Sequence, residues 1–402
     1  MSLVAQAREM ADDLVRLRRA LHQEPEIGLH LPRTQERVLS ALDGLPLDIT
    51  TGRDCTSVTA VLRGRGPGVV LLRADMDALP VQEETGLDFA SRIDGAMHGC
   101  GHDLHTAMLV GAAHLLAARR DELDGDVVFM FQPGEEGWEG ARTMIREGVL
   151  DAAGRRPDAA YAVHVFSTLG PAGRFSSRPG VALAASATLR VTVRGEGGHG
   201  STPHQAKDPV PVLAEMVTAL QTAVTRQFDV FDPVVLTIGV LRAGTRSNVI
   251  PATATFEATI RTFSSASGRR MREVALRVVS GIAQAHGLDV EADYAEGRPP
   301  TLNDPGETAF ARDVITETFG DDRYAPLANP FTGAEDFSRV LEEVPGCFLA
   351  LGALPPGADP DKAPFNHSPR AVFDDSVLPD GAALFTELAR RRLHLTSRKG
   401  RR

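Results

Sequence analysis

Three continuous apolar runs, residues 69–72, 127–131 and 159–163, most constrain what this chain can fold into. Each is too short for a buried helix and lacks the alternation of a strand with one wet face. Each therefore reads as a strand covered on both sides. Helical patterns lie between them, an alanine- and leucine-rich one over 106–118 and a shorter one over 140–147. Buried strands alternating with helices predict an α/β layer around a mostly parallel sheet. Upstream, 1–22 reads as one helix, with Leu14, Leu17 and Leu21 at helical spacing, and 32–42 as a second. Residues 58–62 and 69–72, joined by a Gly/Arg/Pro turn, read as a hairpin-like pair.

Near residue 185 the pattern changes. Residues 187–193 (ATLRVTV) and 253–260 (TATFEATI) alternate strictly, with a strand-like stretch over 234–240 between them. Alternation of this kind marks an antiparallel sheet with one face in water. Helical stretches over 209–225 and 267–286 are interleaved. The resulting β-α-β-β-α-β order predicts a split βαβ, ferredoxin-like α+β domain. After Arg298-Pro299-Pro300 the α/β pattern resumes, with helices over 308–319 and 378–395 and a strand over 347–351. The expected organisation is one α/β domain built from 1–185 and 298–402, interrupted by a smaller domain over 186–297.

Charge and cysteine content narrow the function classes. The 402 residues carry 43 basic and 53 acidic side chains, a balance of −10, which argues against nucleic acid or an anionic membrane as partner. No uncharged apolar run approaches the roughly 18–20 residues of a membrane span. The N-terminal segment also lacks the apolar stretch and cleavage site of a secretory signal. Cys55, Cys100 and Cys347, odd in number and widely spaced, cannot build a disulfide framework. A soluble protein of the reducing cytoplasm is the expectation. There is neither a G-x-x-x-x-G-K-[ST] phosphate loop nor a G-x-S-x-G nucleophile elbow.

Acidic and histidine side chains follow each of the three buried runs. The first leads into Asp75 and Asp77, the second into Glu135 and Glu136, the third into His164. Ligands of open α/β sheets bind at the carboxyl ends of strands, so these groups should converge in one crevice. Between the first two runs stands His98-Gly99-Cys100-Gly101-His102-Asp103-Leu104-His105, whose glycines permit close backbone approach and which precedes a helix. A helix N-terminus stabilises a thiolate. Cys100, His102, Glu136 and His164 make a Cys/His/Glu/His donor set, enough for one catalytic metal, or for two if the thiolate bridges. Glu135, beside a ligand, could serve as general base of metal-assisted hydrolysis. Two distant pieces also present histidines: His199 in the glycine-rich GEGGHGSTPH and His367 in PFNHS.

The stretches RRALHQEPEIGL, RADMDALPVQEETG, MHGCGHDLHTAMLVGAAHLL, FQPGEEGWEGARTMI, HVF, GEGGHGSTPHQAKDPV, RSNVIPATATFEATIRT, TGAEDFS and FNHSP run in order from residue 18 to about 368. Together they resemble the dinuclear metallopeptidase family of N-acyl-amino-acid amidohydrolases, which includes aminoacylases, hippurate hydrolases, auxin-conjugate hydrolases and acetyl-diaminopimelate deacetylases. The resemblance implies an α/β, mostly parallel mixed-sheet catalytic domain with an inserted lid or dimerisation domain. It implies two divalent metal ions, zinc or manganese first and nickel or cobalt next, held by Cys100, His102, Glu136, His164 and His367. Cys100 would bridge, where other branches use aspartate; His102 and His164 would serve one ion, Glu136 and His367 the other. Glu135 matches the general base, and Asp77 the aspartate that orients a ligand histidine. Asp75, where other branches place a ligand histidine, is expected to support a ligand from behind. His199 matches the histidine that polarises the scissile carbonyl. Asn248 falls in the substrate-side loop, and Arg298 aligns with an arginine that binds the substrate carboxylate.

The implied reaction is hydrolysis of an N-acyl amino acid, Glu135 taking a proton from water and passing it to the leaving amine. A dipeptidase or carboxypeptidase of the same clan is the alternative, and a non-catalytic metal- or peptide-binding relative the more distant one. A homodimer through the inserted domain and a monomer are both compatible with the sequence. His22 and His30 are read as helix packing, His105 and His114 as packing or capping, and Cys55 and Cys347 as small buried hydrophobes.

Overall fold

Every residue of the strand Gly68–Asp75 is buried, as a run with no polar face requires. It sits near the middle of an eight-stranded sheet in the computed structural model, which describes residues 2–399. The strand order is Leu47–Thr51, Val58–Leu62, Gly125–Gln132, Gly68–Asp75, Ala159–Pro171, Gly346–Leu354, Phe175–Ser177 and Tyr324–Pro326. The central pairings are parallel: Gly68–Asp75 with both neighbours, and Ala159–Pro171 with Gly346–Leu354. The first three strands of that order pair antiparallel, so the sheet is mixed.

The hairpin expected from 58–62 and 69–72 does not form. Gly125–Gln132 inserts between them, with Val58 opposite Phe131 and Val70 opposite Val127. A run with no polar face gains from a central place, where both ladder edges are satisfied and both faces covered. The single helix expected over 1–22 is instead Leu3–Glu9 and Ala11–Gln23, broken at Met10, and Met1 lies outside the described residues. The last helix, Leu378–Lys399, runs past the expected end at 395.

The helix His102–Ala117 begins four residues earlier than its alanine-rich pattern suggested, and this difference brings a candidate ligand to its first position. Gly101 precedes it with φ +85, and a Cβ there would lie 2.3 Å from Val165 Cγ2, so only glycine fits. The helix is buried on nearly every side, packed on the sheet and against Leu378–Lys399. These elements belong to one compact unit, made of the chain up to Ala182, Leu302–Asn329 and the chain from Asp336 onward.

The second unit comprises Leu183–Thr301 and Pro330–Glu335. Its four strands, in the order Val234–Ala243, Thr253–Thr262, Ala185–Arg194 and Asp289–Glu296, are antiparallel throughout. With helices Pro209–Gln227 and Ser265–His286 interleaved in the chain, this is the split βαβ arrangement. Leu189, Val191, Phe256 and Ile260 face Met216, Leu220, Met271 and Val279 in its core. Pro330–Glu335 joins this unit because the Ala184 N–H donates to the carbonyls of Phe331 and Gly333.

Candidate metal centre

The parallel register of the first unit decides which side chains meet. Gly68–Asp75 and Ala159–Pro171 pair up to Arg73 opposite Ala162, so two residues on Asp75 and His164 stand level. Gly125–Gln132 pairs to Asp75 opposite Gln132, and the chain then turns at Gly134 (φ +73) into Glu135 and Glu136. The N-terminus of the helix His102–Ala117 closes the group, bringing Cys100 and His102.

Donor atoms of Cys100, His102 and Glu136 lie within 4.8 Å of one another. Glu136 Oε1 is 3.1 Å from His367 Nε2 and 4.0 Å from His102 Nε2. Cys100 Sγ is 3.5 Å from His164 Nε2. These are separations expected between donors placed about 2.0–2.3 Å from a shared ion. The five residues thus come together from four parts of the chain. His102 gives the fit test: it is wholly buried, and its ring nitrogens make no hydrogen bond of normal length, only 3.5 Å contacts to Asp75 and Asp77. An imidazole left so would cost free energy unless a cation took its lone pair.

Surrounding groups fix the ligand orientations. His164 Nδ1 lies 2.8 Å from the Val165 carbonyl; a carbonyl only accepts, so Nδ1 carries the proton and Nε2 keeps its lone pair toward Cys100. Asp77 accepts from the backbone N–H of Glu135 and of Glu136, both at 2.9 Å, and stands 3.5 Å from His102 Nδ1. One buried carboxylate thereby sets the loop of both glutamates and braces a ligand histidine. Asp75 binds Arg73 at 2.7 Å and His105 at 2.5 Å, and lies 3.5 Å from His102 Nε2. His367 takes a left-handed backbone (φ +72), tied by its N–H to the Gly99 carbonyl. Departures of that kind persist where neighbours over-determine them, commonly at functional sites.

Protonation follows from these contacts. Burial disfavours charge on His102, but Asp75, Asp77 and Cys100 outweigh it and hold its pKa well above the usual value. Burial raises the Asp75 carboxyl less than Arg73, His102 and His105 lower it, leaving it well below the usual range. Burial and the neighbouring His105 push His164 down. Hydrogen bonds to Cys100 and Glu136 lift His367 to about 10. Without metal His367 is therefore an imidazolium at neutral pH, and ligation must expel its proton. Metal affinity should rise with pH, by up to about tenfold per unit from this group, until its pKa is reached. Calorimetric titrations in two buffers of different ionisation enthalpy should give different heats; equal heats would contradict the assignment.

Two histidines set aside in the sequence meet buried carboxylates, and one of them, His105, belongs to this centre. His105 is not a packing or capping residue: its Nδ1 meets Asp75, and its Nε2 accepts from the Val165 N–H at 2.8 Å. It links the carboxylate behind His102 to the strand end that carries His164. It stands three residues after His102, one helical turn on, a spacing that places both on one face. His22 is buried with Arg18 against Asp103, at 2.8 and 2.7 Å, so the helix packing expected of it is made through a buried carboxylate. His30 is exposed, and His114 donates to or accepts from nothing in the site, meeting the Ala41 carbonyl instead. Asp336, from the TGAEDFS stretch, receives Arg73, both hydrogen-bond reaches of Gln132 and the Ala141 N–H, while its own N–H reaches Glu135 Oε1 at 3.4 Å. Asn366 spans the Val165 carbonyl, Ser167 N and the Cys100 carbonyl.

The remaining candidates lie in the second unit. His199 is exposed and pairs with Val249, next to Asn248, whose carbonyl accepts from the Gly200 N–H. His199 Nδ1 accepts from the Ser201 N–H at 3.1 Å, which leaves the ring proton on Nε2. Arg298 donates through Nη1 to the Ala334 carbonyl. Cys55 and Cys347 are buried thiols outside the cluster.

The model of peptidase family M20/M25/M40 matches residues 71–391. Thermostable carboxypeptidase 1 of Saccharolobus solfataricus is 35% identical over 389 residues, 95% of this chain and 96% of that protein. N-acetyldiaminopimelate deacetylase of Shouchella clausii is 38% identical over 348 residues, 86% and 91% of the two chains. A Bacillus subtilis protein, YXEP, described as a dinuclear metal binding peptidase from the M20 family, has a crystal structure similar to this one. Its TM-score is 0.82 and its identity 31%, over 96% of this chain and 99% of that one.

Proposed function

The chain belongs to peptidase family M20/M25/M40, and on that premise we propose that it hydrolyses the amide bond of N-acyl amino acids of hippurate or N-acetyl type. The observation that carries this is the meeting of five metal donors with the buried carboxylate of Glu135. Cys100, His102, Glu136, His164 and His367 would hold two divalent ions, Cys100 bridging, His102 and His164 on one, Glu136 and His367 on the other. Thiolate, imidazole and carboxylate together suit zinc or manganese, then nickel or cobalt. Bound there, such ions supply Lewis-acid polarisation of the carbonyl and acidify water.

The protein's own groups do the rest. Glu135 removes a proton from the water whose oxygen adds to the carbonyl carbon. It gives that proton to the amide nitrogen as the C–N bond breaks, leaving a carboxylic acid and a free amino acid. At 5% exposure it is shielded from bulk water, which would otherwise compete for the proton it carries. Asp77 holds its loop in place. His199, protonated on Nε2, is the donor to the developing oxyanion. Asn248 and Arg298 are assigned to the substrate's polar groups, Arg298 to its carboxylate. Replacing His199 with Ala should lower kcat about 10²–10³-fold while leaving the melting temperature in place, since the side chain is exposed. A loss confined to KM would remove the oxyanion role.

Carboxypeptidase or dipeptidase action is the second reading, favoured by the thermostable carboxypeptidase relative. A panel of hippurate, N-acetyl amino acids and dipeptides with free N-termini separates the two: the proposal requires the blocked substrates to be cleaved faster. No described helix is long and apolar enough to cross a membrane. A reducing cytoplasm suits a metal-binding thiolate. A homodimer through the second unit is proposed at its edge strand Val234–Ala243, where Val235 and Leu241 are exposed.

A further inference from the structure

Glu135 and His164 stand on opposite flanks of the centre. Gly125–Gln132, which leads to Glu135, and Ala159–Pro171, which carries His164, are separated by the single strand Gly68–Asp75. That spacing is about 9–10 Å across the sheet. A base that must reach the leaving nitrogen keeps the amino-acid half of the substrate on its own flank. The acyl half then points the other way, over Ala159–Pro171.

That flank is aromatic. Phe166 shares a strand face with His164, two residues on, and their rings lie 4.8 Å apart. Phe348, from the next strand, is 5.8 Å from His164. Both phenylalanines are buried, but Phe365 is 51% exposed, and its ring stacks on Phe166 at 6.1 Å and 28°. Phe365 is no loose surface side chain. Ser167 Oγ donates to the Pro364 carbonyl at 2.8 Å and Ser167 N to the Asn366 side-chain Oδ1 at 3.0 Å, so the residues on both sides of Phe365 are tied to the same strand. Two residues later comes the candidate ligand His367. A half-exposed ring held this firmly beside a polar centre is a preorganised apolar contact, and flat aromatic groups stack on such rings in offset geometry.

We propose that Phe365, backed by Phe166, seats the substrate's acyl group and selects aromatic acyl groups over acetyl. The proposal rests on the amide-hydrolysis reading above. The test compares N-benzoyl-alanine with N-acetyl-alanine on metal-loaded protein, native and Phe365→Ala, with Phe365→Tyr as the conservative control. The native protein should prefer the benzoyl substrate in kcat/KM. Phe365→Ala should reduce the benzoyl-to-acetyl ratio about tenfold, and Phe365→Tyr should restore most of it. Equal losses on both substrates would overturn the assignment, as would a native preference for acetyl. Calorimetry with the product acids keeps the two readings apart. If neither amide is cleaved, the hydrolase reading fails, and benzoate binding decides the subsite alone. Benzoate tighter than acetate, with the difference erased in Phe365→Ala, supports it; no such difference removes it.

Discussion

Glu135→Gln should abolish amide hydrolysis, lowering kcat at least about 10³-fold, while the protein still takes up its full complement of metal. The amide matches the carboxylate in size and can still accept from the Asp336 N–H, which lies 3.4 Å from Oε1. It cannot take up and return a proton, and the two carboxylates of its own loop contacts are already engaged. Glu136, its neighbour, points to His367 and His102, and Asp77 is committed to the two backbone N–H groups of the loop. Metal analysis and kinetics on the same preparation separate base from ligand. Loss of metal in this variant would make Glu135 a ligand; retained activity would mean the base lies elsewhere.

Cys100→Ala should bring the bound metal below one ion per chain and lower activity by more than about a hundredfold, since second-sphere losses alone reach that size. The thiol is buried and lies beside His164 Nε2, one residue before the glycine that opens the helix His102–Ala117. Cys100→Asp, which restores an anionic bridge, should recover metal uptake. Peroxide treatment of the native protein should release metal in parallel with loss of the Cys100 thiol. Two ions retained by Cys100→Ala would show that the thiol does not bridge.

How far the sequence carried these assignments depended on how local each signal was. Glu136 and His164 stood out because each follows an apolar run, and parallel strands bring such ends together; Cys100 and His102 stood out because glycines flank the thiol just before a helix. The middle of the sheet was less legible. Neighbouring runs usually pair, and that preference suggested a hairpin where Gly125–Gln132 in fact intervenes. His105 reads as packing or capping because the helical pattern starts only at 106; the observed start at His102 puts both histidines on one face. The partners of Asp336 lie up to 263 residues away in the chain, and Asn366 meets Cys100 across 266. Contacts of that kind exist only once the fold does. His22 looked like a packing residue because helical periodicity cannot distinguish an apolar neighbour from a buried carboxylate such as Asp103.

The central claim, two metal ions serving amide hydrolysis at this centre, is tested most directly by titrating metal-free protein with zinc or manganese while following hippurate cleavage. Activity should be absent without metal and should rise to a plateau at two ions per chain. Cleavage at full rate by the metal-free protein, or two tightly bound ions with no cleavage of any N-acyl amino acid, would contradict it.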